Sequence, residues 1–98
     1  MFQRCINIIN QQDRFITLGR RSSFRASTRD GILLITNSIG KTYKIDEQIF
    51  KMVYRRYRQL NSDLRNQACQ YTDPKWENCP NRVASVYIAA IIRDCLNN

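Results

Sequence analysis

SSFRASTRDGILLITNSIGKTYKI, residues 22–45, divides at two places where the chain has to turn. Asp30-Gly31 is a tight-turn pair, because a two-residue hairpin loop needs positive φ at both central positions. Asn37-Ser38-Ile39-Gly40 is the second turn. Between them lies Ile32–Thr36, a compact apolar run of strand length, and Thr42–Ile45 follows as the next strand. These segments predict a three-stranded antiparallel meander over about 22–45. The run Ile32-Leu33-Leu34-Ile35 suits a central strand covered on both faces or nearly so.

Downstream, Asp46 is a good helix N-cap. Ile45 before it and Phe50 after it sit where a hydrophobic staple would fix the passage from strand to helix. A helix is expected over about 47–60, with Ile49, Phe50, Val53, Tyr57 and Leu60 on its core face. Acids open it and Arg55, Arg56 and Arg58 close it, in agreement with the macrodipole. Leu64, Ala68 and Tyr71 recur at helical spacing and predict a second helix over about 63–71. Asp73-Pro74 resembles an N-cap followed by Pro, so the loop would carry Trp76 on a single turn.

The last helix, about 82–96, is apolar nearly all round. Such a helix is either buried on several sides or makes a subunit contact, which would be a homodimer through residues 82–96. Upstream, Phe15–Leu18 is a short β-prone run closed by Gly19. Residues 1–12 fit both periods, and the helical one, through Phe2, Cys5, Ile6 and Ile9, is preferred. The expected fold class is α+β, and 98 residues make one compact basic domain, 1–98.

Sixteen Lys and Arg face eight Asp and Glu, a net charge of +8. Residues 1–45 hold eight basic and two acidic groups, so most of the excess lies in the first half. Arg outnumbers Lys twelve to four, and the guanidinium fork suits phosphate and carboxylate. A strongly basic small domain is the electrostatic footprint of a nucleic-acid binder.

There is no His, which excludes a His general base and His-bearing zinc sites. Cys5, Cys69, Cys79 and Cys95 have no CxxC spacing, so no metal site is expected. Cys5 and Cys95 look like core residues, and a Cys69–Cys79 bridge would need oxidising conditions. No cofactor motif is found. Ser38-Ile39-Gly40-Lys41-Thr42 ends like a phosphate-binding loop, but Ile35 stands where the first Gly is required. A strand, not a helix, is expected to follow. No catalytic constellation of carboxylates emerges. The start is not a signal peptide, and no apolar run is long enough to span a membrane. A cytoplasmic protein is expected.

The strongest binding candidate is the stretch Arg20, Arg21, Phe24, Arg25, Arg29. There Phe24 would stack on or wedge between bases, and the arginines would meet phosphates. Lys41 and Lys44 continue it, and Lys51, Arg55 and Arg58 form a basic stripe on the first long helix, with no acid expected to neutralise it. The bland alternative is a solvated edge strand whose arginines resist aggregation, with Phe24 in the core. If Phe24 points inward, Ser23 and Arg25 point out.

Three functions are compatible with this. The first is a non-enzymatic module binding DNA or RNA through phosphates. The second is a small protein-interaction or inhibitor module, of the kind phages and mobile elements make, docking an acidic or nucleic-acid-binding surface of a larger protein. The least expected is a His-free ribonuclease toxin.

Overall fold

Among the described residues, the chain first takes a positive φ at the Asp30-Gly31 turn. In the computed structural model, which describes residues 1–19, 21–77 and 79–97, Asp30 has φ 54° and Gly31 φ 78°. Both central positions are left-handed, as a two-residue hairpin twisting with its strands requires. This turn joins β2 (Ser23–Arg29) to β3 (Ile32–Thr36). The second turn is tied by Asn37, whose Oδ1 accepts from the amides of Ile39 (3.2 Å) and Lys41 (2.9 Å). Gly40 there has φ 88°. It leads into β4 (Thr42–Ile45), so Gly40-Lys41-Thr42 belongs to a hairpin and not to a phosphate loop.

A fourth strand precedes these three. β1 (Arg14–Ile16) pairs antiparallel with β2, giving a sheet in the order β1-β2-β3-β4. The short run around Phe15 was too brief for periodicity to assign. Pairing supplies what it lacks: Phe15 lies opposite Phe24, and the two rings stack at 5.8 Å. Ahead of it, residues 2–11 are helical, α1 (Phe2–Gln11), with Cys5 and Ile9 buried.

The expected cap of the first long helix forms. In α2 (Glu47–Gln59) the Asp46 carboxylate accepts from the Ile49 amide at 2.8 Å, and the staple residues Ile45 and Phe50 are buried. The helix expected over 63–71 is mostly turns. Only α3 (Cys69–Thr72) is helical. Arg65 accounts for the difference. Its Nε donates to the carbonyls of Tyr57 (3.0 Å) and Leu60 (2.9 Å) at the end of α2. That contact holds the chain against the helix it has just left, and Tyr71 locks it by donating to the Arg65 carbonyl. Trp76 anchors its own loop: the Tyr71 ring meets it edge-on at 6.4 Å, and Arg56 lies 5.5 Å from its ring.

α4 (Arg82–Asn97) is the spine of the core. Ala84, Ala89, Ala90, Ile88, Ile91, Ile92 and Cys95 are all fully buried by α1, α2, α3 and β1. Of the two readings of this helix, burial on several sides is the one observed, and most of the apolar surface that a homodimer through 82–96 would use lies inside the chain. Only Val83 and Leu96, near the ends, are substantially exposed. Arg93, 6% exposed, donates to the carbonyls of Ile16 (2.7 Å) and Thr17 (3.4 Å) and pairs with Asp94 at 3.1 Å. A buried guanidinium satisfied in this way ties the spine to the end of β1.

The four cysteines are free. Cys5 and Cys95 are both buried; the Cys5 Sγ donates to Met1 Sδ at 3.7 Å, and the neighbouring Cys95 together with burial raises the Cys5 thiol and keeps it protonated. Cys69 is exposed and Cys79 half-buried, its Sγ donating to the Tyr71 carbonyl. No described helix is long and apolar enough to cross a membrane.

Candidate nucleic-acid interface

Side chains alternate across a strand, so the register assigns every sheet residue to one of two faces. Phe15, Phe24, Ala26, Leu33, Ile35 and Ile45 point toward the helices and are buried. The opposite face is covered by no described element. Along β1 it carries Arg14 and Ile16. Along β2 it carries Ser23, Arg25, Ser27 and Arg29. Along β3 and β4 come Ile32, Leu34, Thr36, Thr42 and Lys44. The central strand is thus open on one side, with Ile32 and Leu34 half-buried, and not covered on both as its run of four apolar residues suggests.

Four cations stand on this face, and no outward strand position holds an acid. They fall at two ends. Arg14 and Arg25 are register partners, directly opposite each other on neighbouring strands. Like charges so placed destabilise a sheet. They flank a shallow depression of about 420 Å³ shared with Ser23, Thr36, Asn37 and Ser38. At the other end, Arg29 and Lys44 border a depression of about 340 Å³ with Ile32 and Leu34, rimmed by Asp30 from the turn. Among the described residues none of these four cations makes an ion pair or a side-chain hydrogen bond. By contrast, Arg56, Arg65, Arg82 and Arg93 are engaged with backbone carbonyls and serve the fold.

The residues expected to bind are not all brought together. Arg25, Arg29 and Lys44 share the open face. Phe24 does not: it is 2% exposed and packs against Phe15 and Tyr87, so its role as a stacking or wedging residue is corrected to that of a core residue. Lys41 leads into β4 beside Tyr43, its amine 5.2 Å from the centre of that ring. Arg21 is exposed in the β1–β2 loop, and Arg20 lies outside the described residues.

Lys51, Arg55 and Arg58 form an exposed stripe beside Tyr54 and Gln59. α2 packs on α4 and α1, however, so the stripe belongs to the helical side of the molecule and does not extend the sheet face. Nor is it free of acids, since Glu47 reaches Lys51 at 3.6 Å. Arg14 is the site residue that sequence reasoning missed. The signal was the β-prone run after it: extended by one residue and paired to the strand that carries Phe24, it puts Arg14 beside Arg25.

Compared with known proteins, the chain matches no family model, no curated protein and no solved structure at a significant level, so the open sheet face has to be read from its own geometry.

Proposed function

We propose that the chain is a non-enzymatic nucleic-acid-binding module that contacts phosphates through the open face of its sheet. The observation that carries the reading is the Arg14–Arg25 pair. Two arginines are register partners on neighbouring strands, and no outward strand position holds a carboxylate. In the free protein this arrangement costs stability, and a bound phosphate would relieve it. Ser23, Ser27, Thr36 and Thr42 add hydroxyls that can donate to phosphate oxygens.

Binding of labelled oligonucleotides, followed by fluorescence anisotropy over a salt series, tests the reading. Four phosphate contacts give a slope of log K against log salt of about −3.6, or roughly a hundredfold loss between 50 and 200 mM salt. Salt-insensitive binding, or none at low salt, would sink it.

A second reading, docking to an acidic or nucleic-acid-binding surface of a larger protein, has its own support. Ile16, 48% exposed, and half-buried Ile32 and Leu34 stand among the arginines, and Arg with aliphatic surface suits a protein interface. A stoichiometric complex with a protein that survives nuclease treatment would favour it over the first.

A further inference from the structure

We infer that the open face binds double-stranded nucleic acid, spanning the major groove of a B-form duplex from one phosphate ridge to the other with little reading of base sequence. The inference rests on the phosphate-binding reading above and narrows it.

The first argument is what the face lacks. Proteins that hold single strands stack bases on aromatic rings. Every aromatic residue in this sheet, Phe15, Phe24 and Tyr43, is on the helix-facing side. None of the outward positions carries a ring, so an unpaired base would find no aromatic platform there and only guanidinium planes to stack on. The second argument is breadth. Three inter-strand gaps make the sheet about 14 Å wide. A two-stranded ribbon enters a major groove about 12 Å across, but a four-stranded face is too broad and must lie over the ridges.

The third argument is spacing. Arg25 and Arg29 are four residues apart on β2, which is about 13 Å along a strand. Arg14 joins the first, and Lys44, level with Ser27 in the row between, borders the same depression as Arg29. Arg25 and Arg29 thus stand about one major-groove width apart. Between them lie Ser27 and Leu34, short or aliphatic groups that read no base edge, with Lys44 beside them on the outermost strand. The molecule measures 32 × 26 × 25 Å, so one copy covers about one helical turn.

The experiment uses the full chain and a mixed-sequence DNA duplex of roughly 15 base pairs, about one and a half turns. Its separate single strand, a second duplex of unrelated sequence and an RNA duplex of the first sequence are the comparisons. Anisotropy is read over a salt series for the wild type, for R14Q/R25Q and for R29Q/K44Q, each checked for its native circular dichroism. The expected result is duplex DNA bound roughly tenfold or more tighter than single strand, with similar affinity for both duplex sequences. Each double variant should lower the salt slope by about 2, one for each phosphate that is no longer neutralised.

A single strand bound as tightly as the duplex overturns the inference while leaving the phosphate-binding reading standing. Strong preference for one duplex sequence, or tighter binding of the RNA duplex, overturns the groove-spanning geometry. An unchanged slope in both double variants overturns the choice of face. No binding of any nucleic acid overturns this inference and the reading beneath it together.

Discussion

Arg25 is the residue at which the proposed binding would be set against stability. Its Cα partner is Arg14, so two like-charged side chains start from directly opposite positions. Arg25→Thr removes the repulsion and installs a β-branched residue suited to a strand. It should stabilise the fold by up to about 1 kcal/mol, read as a rise in the thermal midpoint. The same change should weaken nucleic-acid binding. A variant that becomes both less stable and weaker in binding would mean that Arg25 serves the fold instead. Asp30 offers the opposite test. It rims the Arg29–Lys44 depression and occupies a left-handed position that Asn also tolerates. Asp30→Asn keeps the turn and removes the carboxylate nearest that end. Affinity for nucleic acid should rise a few-fold at low salt, and the gain should shrink as screening increases.

At the scale of elements, the sheet and α2 divide the exposed charge between them. The stripe Lys51, Arg55, Arg58 projects from a helix that packs on α4 and α1. Its neutralisation in K51Q/R55Q/R58Q should leave the salt slope within about 0.5 of wild type, because the proposed phosphate contacts are on the sheet. A fall of about 2 or more would mean that the nucleic acid reaches the helical side. α2 itself depends on its cap. Asp46→Ala should cost about 1 kcal/mol of stability, measurable by urea unfolding, because the Ile49 amide is then left without its acceptor. Binding by the folded fraction should be unchanged.

The whole molecule is organised around α4, whose apolar residues are shared out among three helices and the first strand. Ile91 is fully buried there. Ile91→Asp should therefore unfold the chain, seen as loss of cooperative thermal melting, and not convert a dimer to a monomer. Ala89 and Ala90 act in the same way: their small size lets neighbouring elements close on the spine, and larger residues would overpack it. The covered face of the sheet and this helix together form one core, and the other face of the sheet is left to solvent.

Local signals were enough for much of this. Asp30-Gly31 determined the central hairpin, since few pairs adopt positive φ so readily, and Asp46 with Ile45 and Phe50 determined where α2 begins. Alternation along β2 also determined that Phe24 and Arg25 point in opposite directions, because the side-chain period of a strand is two. Period alone does not say which of the two faces is covered. That was decided by the packing of the helices, which put Phe24 in the core and Arg25 in the open. Partners distant in sequence decided the rest. β1 is too short to announce itself and exists by pairing with β2, which brings Arg14 beside Arg25. The turns at 62–66 replace a helix because Arg65 reaches back to α2. The positive charge that the composition made plain from the outset received its place only from tertiary contacts. Some arginines bind carbonyls inside the fold, one stripe rides on a helix, and four cations are spread over the open face of the sheet.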